Sequence, residues 1–434
     1  MRILLVSGEL IASPLCHRLM SEGHDFKLYI RDDARRDCLD GIIPKVENWK
    51  DELEWVGKDG LIIFDDLDYG QEQDDLRKQG YKVVGGSAGG DALELDRGIL
   101  HKVLSDSDLP TLPSFDFESA DEAIDHIKKN PDRWVVKQSS HIGMLNYVGE
   151  LEDGKDAIDT LRGYKDKGIT PVHIQKRAFG IEVGVARYFN GSDWVGPIEI
   201  NHEHKHLCNE AIGPLTAEMG TVIWYSNDEN LPLFAKTLGK LKDYLIKIDY
   251  RGDIDINCIV DKDTAWPLEA TARFGSPSTA LQCAMHKSPW GDFLMSVADG
   301  KKYNLEHEDG VGVVVAVALP PFPYPPNSVR AETQKSNNEY LYFKEPLTLD
   351  EEWHVHLEEI SKKQHLDGSE YLYWSGEFGY ALYVTGVGKD IHEARDRAYK
   401  IINKIILPKK IYRTDIGIKF AEHDHATLKE WGWI

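Results

Sequence analysis

Short, mostly apolar runs recur at the start of the chain, at Arg2 to Val6, Phe26 to Ile30, Leu61 to Phe64 and Tyr81 to Val84. Runs of this length and branching predict strands buried on both faces of a parallel sheet. Between the first two, Leu15, Leu19 and Met20 fall at helical spacing after a loop over Ser7 to Ser13. The first ~95 residues therefore predict an alternating α/β layer. A nucleotide or phosphate at the C-terminal ends of the strands is the usual use of that layout. The loop after the first strand lacks a GxGxxG pattern, so it predicts no dinucleotide.

Gly85 to Gly90 interrupts the periodicity, and Asp91 to Leu104 resumes it as a helix. Beyond Pro110 and Pro113, Ala120 to Lys129 predicts an amphipathic helix. Trp134 to Lys137, Val172 to Gln175 and Glu182 to Tyr188 predict strands, the last entering the turn Asn190-Gly191-Ser192. Together they predict a small strand-rich lobe over residues 131–195. Leu231, Leu233, Leu238, Leu241, Leu245 and Ile246 predict one helix over 230–248, and strands at Asp253 to Val260 and Trp266 to Thr271 follow, joined through Asp261-Lys262-Asp263. The run from Pro320 to Pro326 excludes helix and central strand, because proline lacks the N–H both require, leaving a linker or an extended edge. A strand at Tyr380 to Thr385 and a helix at Ile391 to Ile405 complete another α/β unit. The expected division is 1–95, 96–305 and 306–434, in keeping with a 434-residue chain of about three domains.

Charge narrows the choice of partner. With 73 acidic and 51 basic residues the formal net charge is -22, a field that repels nucleic acid and anionic membranes. The same field opposes a polyphosphate, so an ATP site requires locally clustered cations. Five scattered cysteines without a CxxC pair predict a reduced, cytoplasmic setting, and no run has the ~18 apolar residues of a membrane span. Small-molecule substrates and a monomer or homodimer are expected.

The densest chemistry lies in GDIDINCIVDKDTAWPLEATARFGSPST. Asp253, Asp255 and Asn257 alternate along one strand and face one side, as do Glu269 and Thr271 on the next, with Arg273 two residues further on. Carboxylates and neutral oxygens so arranged make a hard site suited to Mg²⁺ (or Mn²⁺) bridging phosphates; the alternative is the solvated face of a hairpin. His202, His204 and His206 also alternate, but zinc lacks a clear fourth ligand there, and Lys205 among them favours phosphate or substrate contact. The aromatic residues at Trp224-Tyr225 and Tyr371 to Trp374 are expected to pack.

Four ordered segments resemble one family. Pro267-Leu268-Glu269-Ala270-Thr271-Ala272-Arg273-Phe274-Gly275-Ser276-Pro277 resembles the E-F-N-x-R-F-G-D-P-E motif of phosphoribosylamine-glycine ligase, an ATP-grasp enzyme of purine synthesis. Gly213 to Gly220 resembles G-P-N-T-G-G-M-G, His204-Lys205 resembles part of D-H-K-R, and Tyr412 to Gly417 resembles Y-R-x-D-I-G. The resemblance implies a Rossmann-like N-terminal domain, a two-lobed ATP-grasp domain and a small C-terminal α/β domain. It implies an ATP-dependent carboxylate-amine ligase working through an acyl phosphate, with phosphoribosylamine and glycine as the joined pair. ATP would be held by Arg97, Lys137, Gln175, Lys176, Ala178 and Glu182, and magnesium by Asp255, Glu269 and Thr271. Lys205 and Arg273 would be catalytic.

The chain departs from that pattern at several positions. Thr271 replaces the asparagine of E-x-N, and Ser276-Pro277-Ser278 replaces D-P-E. The N-terminal G-G-R-E-H loop is Ser7 to Ser13 without arginine, and the glycine-rich phosphate lid is reduced to Ser139-Ser140-His141-Ile142-Gly143-Met144. Two alternatives follow: an ATP-grasp ligase for another carboxylate and amine, or a nucleotide-binding relative without catalysis.

Overall fold

The structure, a computed structural model, describes residues 1–138, 146–324 and 339–434. The reduced lid, Ser139 to Met144, and Pro325-Pro326 lie outside the described residues. Four N-terminal strands, β1 (Arg2–Ser7), β2 (Asp25–Ile30), β3 (Leu61–Phe64) and β4 (Lys82–Val84), form a parallel sheet in the order β2-β1-β3-β4. Helix α1 (Ser13–Ser21) crosses from β1 to β2. Ile3 to Val6 and the whole of β3 are fully buried, which is why these strands read as continuous apolar runs.

Where one helix is expected over Asp91 to Leu104, there are two, α2 (Ala88–Leu95) and α3 (Arg97–Asp106). Asp96 separates them because its backbone is extended and its Oδ1 accepts the N–H groups of Gly98 and Ile99. It is an N-cap, which ends one helix by starting the next.

The small lobe is a second sheet of β5 (Ser114–Phe117), β6 (Trp134–Gln138), β7 (Tyr147–Val148) and β8 (Val172–Lys176), in the order β5-β8-β6-β7. Helices α4 (Ala120–Lys129) and α5 (Lys155–Asp166) bury their apolar stripes against it through Ile124, Ile127, Ile158 and Leu161. This sheet ends at Lys176. The strand expected at Glu182 to Tyr188 belongs elsewhere, because it pairs along its whole length with residues 251–260 rather than with the small sheet.

That strand, β9 (Ile181–Asn190), lies inside an eight-stranded antiparallel sheet. Its partners from the middle of the chain are β10 (Trp194–Glu203), β13 (Gly220–Ser226), β14 (Arg251–Val260) and β15 (Ala265–Thr271). A ribbon of β11 (His206–Cys208) and β12 (Ile212–Leu215) leaves the sheet between β10 and β13. The order β15-β14-β9-β10-β13-β16-β21-β18 is completed by β16 (Val311–Ala318), β18 (Val355–Leu357) and β21 (Tyr380–Gly388). One sheet therefore runs across the expected 305/306 division. A further small sheet, of β17 (Tyr340–Phe343), β19 (Ile360–Gln364), β20 (Glu370–Trp374) and β22 (Ile405–Ile406), lies beyond it. Helices α6 (Ser278–Met285) and α7 (Ile391–Lys404) pack on the eight-stranded sheet.

The expected helix over 230–248 is replaced by short turns at Pro232–Ala235, Leu238–Leu241 and Lys242–Lys247. Thr237 interrupts it with φ -128° and ψ -102°, yet Leu231, Leu233, Leu238, Leu241 and Leu245 are all buried. They join Leu100, Val103 and Leu104 of α3 against Val183, Val185, Ile200, Ile254 and Ile256 of the sheet. Period-2 alternation places the polar residues of β9, β10 and β14 on the opposite face. No described helix is long and apolar enough to cross a membrane.

Candidate active site

On the polar face the register aligns side chains from four strands. Asp255 lies opposite Thr271 and Ala186, while Asn257 lies opposite Glu269 and Gly184. From the other side Asn201 of β10 pairs with the same Gly184. A side-chain carbon on Gly184 would come within 2.1 Å of Asn201 Oδ1, so the glycine leaves room for Asn201 Nδ2 to donate to Asp255 Oδ2. The metal set expected from the sequence thus shares one face, with Asp255 half-buried and Glu269 exposed.

Lys205 stands just beyond β10. Its Nζ lies 3.0 Å from Glu182 Oε1, 3.1 Å from Glu203 Oε2 and 2.7 Å from Glu269 Oε1. Asn257 Nδ2 ties two of these carboxylates together, donating to Glu182 at 3.2 Å and to Glu203 at 2.9 Å. The Lys205 ammonium holds the Glu269 carboxyl down at about 2. Asp255 behaves oppositely: burial first, then repulsion by Glu203, pushes it up to about 8. A set of oxygens with one acid strongly ionised and its neighbour repelled fits a hard divalent cation. Among the described residues no three His, Cys, Asp or Glu side chains are placed to hold a metal by themselves. Further oxygens would have to complete the shell.

Cations converge on Glu269 from separate elements. Lys137 of β6, held down to about 8 by burial and then by the Arg97 charge, donates from Nζ to Gln175 Oε1 on β8 at 2.8 Å. Arg97, at the first position of α3, and Arg273, just past β15, also act electrostatically on Glu269. With Lys205 they bring four cations around Glu269, the local clustering that a polyphosphate site would need in a chain of net charge -22. Arg273 is oriented by Glu94, whose Oε1 lies 3.3 Å from its Nε and whose Oε2 accepts the Ala272 N–H at 2.6 Å.

The connection from β8 to β9 runs through residues 177–180 and contains Ala178. Gln175 is buried at its start, whereas the exposed Lys176 side chain turns to Asp132 Oδ2 at 2.6 Å. The histidines do not form one face. His202 ends within β10 with Nδ1 at the Glu182 carbonyl, His204 follows the strand, and His206 starts the ribbon with Nδ1 at the Gly213 carbonyl.

Sequence reasoning missed Asn201, Glu203 and Glu94. The first two carry a legible signal, since Glu199, Asn201 and Glu203 alternate along β10 just as Asp253, Asp255 and Asn257 do along β14. Nothing local marks Glu94, which meets Arg273 only through tertiary packing. The loop Ser7 to Ser13 has no arginine, but Arg31, following β2, reaches the same strand ends and lies 3.9 Å from Asp66 and 3.6 Å from Asp68.

No family model matches the chain. Among curated proteins, the phosphoribosylamine-glycine ligase of Methanocella arvoryzae is 24% identical over 289 residues, 62% of this chain and 65% of that protein. That match spans just under two thirds of the relative's length. The enzyme of the same name from Caldanaerobacter subterraneus is 22% identical over 442 residues, 96% of this chain and 99% of its own. Among solved structures, phosphoribosylamine-glycine ligase from Thermotoga maritima superposes with a TM-score of 0.70 at 19% identity, covering 96% of this chain and all of that one. Biotin carboxylase from Campylobacter jejuni gives 0.63 at 12% identity, covering 99% and 96%. The α/β fold expected from the sequence is the fold of these structures, and the chain is similar in sequence, at 22 to 25% identity, to curated phosphoribosylamine-glycine ligases.

Proposed function

We propose that the protein is an ATP-dependent carboxylate-amine ligase that forms a C–N bond through an acyl phosphate. The observation that carries this reading is the convergence of Lys137, Arg97, Arg273 and Lys205 on Glu269 at the seam between the two lobes. A triphosphate is the ligand such a cluster suits in a protein of net charge -22. Arg97 and Lys137 would hold its phosphates, Gln175 with the backbone at Lys176 and Ala178 its base, and Glu182 its ribose. Asp255, Glu269 and Thr271 would hold a magnesium or manganese ion, which when bound neutralises charge on the phosphates.

In the first step a carboxylate oxygen attacks the γ-phosphorus, and the bond to the bridging oxygen breaks with its electron pair leaving on ADP. In the second the amine nitrogen attacks the acyl carbon, phosphate leaves with the C–O electron pair, and the amine proton passes to solvent. No side-chain nucleophile takes part. Lys205 and Arg273 supply positive charge where negative charge develops, and the lobes hold the reactants in line.

The activity named for the relatives makes phosphoribosylamine and glycine the first pair to test. Purified protein with Mg-ATP, glycine and freshly made phosphoribosylamine should release phosphate, and Glu269→Ala should lower that release at least ~100-fold while the far-UV spectrum and melting curve stay as in the parent. Release only with other pairs would remove that substrate assignment, and ATP binding with no turnover on any acceptor would leave a non-catalytic relative. A second reading, a ligase for another carboxylate and amine, is favoured by Glu9, Asp66 and Glu94 around Arg273. These carboxylates repel a sugar phosphate at the strand ends, where Arg31 opposes them. A carboxylate and amine screen for ADP formation separates the two.

A further inference from the structure

The segment Tyr412 to Gly417, one of the four family-like stretches, has no place among the residues around Glu269. It nevertheless touches the chain on both sides of Lys205. Gly417 N–H donates to His204 Nε2 at 2.9 Å, and the other ring nitrogen, Nδ1, lies 3.1 Å from the Gly220 carbonyl. With one nitrogen accepting, the other must donate, so the ring is fixed as the neutral Nδ1–H tautomer. Two residues on, Arg413 Nη1 donates to the His206 carbonyl at 3.0 Å. Arg413 is itself buried and held by a two-point contact with Asp415, at 2.8 and 2.7 Å.

Asp415 Oδ2 also accepts the Glu210 N–H at 2.7 Å, and Thr414 N–H donates to Asn209 Oδ1 at 3.0 Å. Glu210 and Ala211 have φ +60° and +55°, a left-handed pair that costs side-chain-bearing residues energy and persists only where neighbours fix it. The backbone of Lys205 is pinned as well, since its carbonyl accepts from Thr216 N–H at 2.7 Å and Thr216 Oγ1 at 2.8 Å. Helix α7 anchors the clamp through Arg395 Nη2 to the Thr414 carbonyl and Tyr399 Oη to the Arg413 carbonyl.

We propose that Arg413 to Gly417 is a positioning clamp that sets Lys205 among Glu182, Glu203 and Glu269 by fixing His204 and His206 on either side of it. The clamp is read from contacts alone; its consequence for turnover rests on the catalytic role given to Lys205 above. Arg413, Asp415 and His204 are positioning residues, because each acts on Lys205 through the chain on either side of it.

The test compares the parent with His204→Gln, His204→Leu and Asp415→Asn. Gln places an amide oxygen near the Nε2 position and keeps the acceptor for Gly417, Leu removes it, and Asp415→Asn weakens the hold on Arg413 and Glu210 with little change of shape. Two readouts are taken: labelling of Lys205 by an amine-reactive reagent, quantified by mass spectrometry, and steady-state kinetics of phosphate release. Leu and Asn should raise Lys205 labelling several-fold and lower kcat by roughly 10- to 100-fold, as misplacement of a reacting group does. KM for ATP should stay within about twofold, and Gln should recover most of the loss. Unchanged labelling in both Leu and Asn variants, with hydrogen exchange confirming a folded chain, would overturn the clamp. Raised labelling with kcat unchanged would instead keep the clamp and remove Lys205 from catalysis.

Discussion

Lys137 shows how one residue's environment sets its use. Its strand position leaves it half-buried beside Arg97, and both burial and that neighbouring charge favour the neutral amine, holding it down to about 8. Below that pH the side chain is charged and suited to phosphate; above it the charge is lost. kcat/KM for ATP, which reports the free enzyme, should therefore fall as pH rises through about 8. Lys137→Arg carries a charge that does not titrate there, so its profile should lose that fall across the same range. A falling profile in the arginine variant would assign the titration to another group. Glu269 is the counterpart, held at about 2 by Lys205 and so ionised throughout this range.

At the scale of the strand, the site depends on a glycine as much as on its charged residues. Gly184 faces both Asn201 and Asn257 across two ladders, and a methyl there would displace the Asn201 amide from Asp255. Gly184→Ala should therefore cost about 1–3 kcal/mol for a buried acceptor left without its donor. It should also weaken metal-dependent turnover more than it weakens ATP binding. Denaturant unfolding and nucleotide titration check the two parts, and loss of both in equal measure would point to a general collapse of the sheet. The alternation of Asp253, Asp255 and Asn257, and of Glu269 with Thr271, was legible because a strand has period 2 whatever surrounds it. The helix over 230–248 was misjudged for the converse reason. Its apolar spacing is satisfied equally by three short turns, and only Thr237's backbone distinguishes the two.

Across the whole molecule, the eight-stranded sheet decides what can be separated. Because β16 lies between β13 and β21, ending the chain at residue 305 removes three of the eight strands and bares the edge of β13. Such a fragment should aggregate or lack a cooperative melting transition, as an unprotected edge strand does; a soluble, cooperatively folding 1–305 fragment would contradict this. The N-terminal sheet is bound to the same body through Gly85 N–H to the Arg251 carbonyl, at 2.8 Å, and through buried Arg35, 2.8 Å from Glu358. By itself the sequence determined the strands buried on both faces, the hairpin that turns carboxylates to one side, and the family-like stretches, because each depends on residues within one or two elements. It also set the condition that an ATP site in a chain of this net charge needs a local cluster of cations. Only tertiary structure decided where that cluster lies, since Arg97, Lys137, Lys205 and Arg273 come from elements far apart in the chain. The same holds for the place of β9 in the large sheet and for the grip of Arg413 on the loop beside Lys205, because strand pairing and burial over 200 residues leave no periodic mark along the chain.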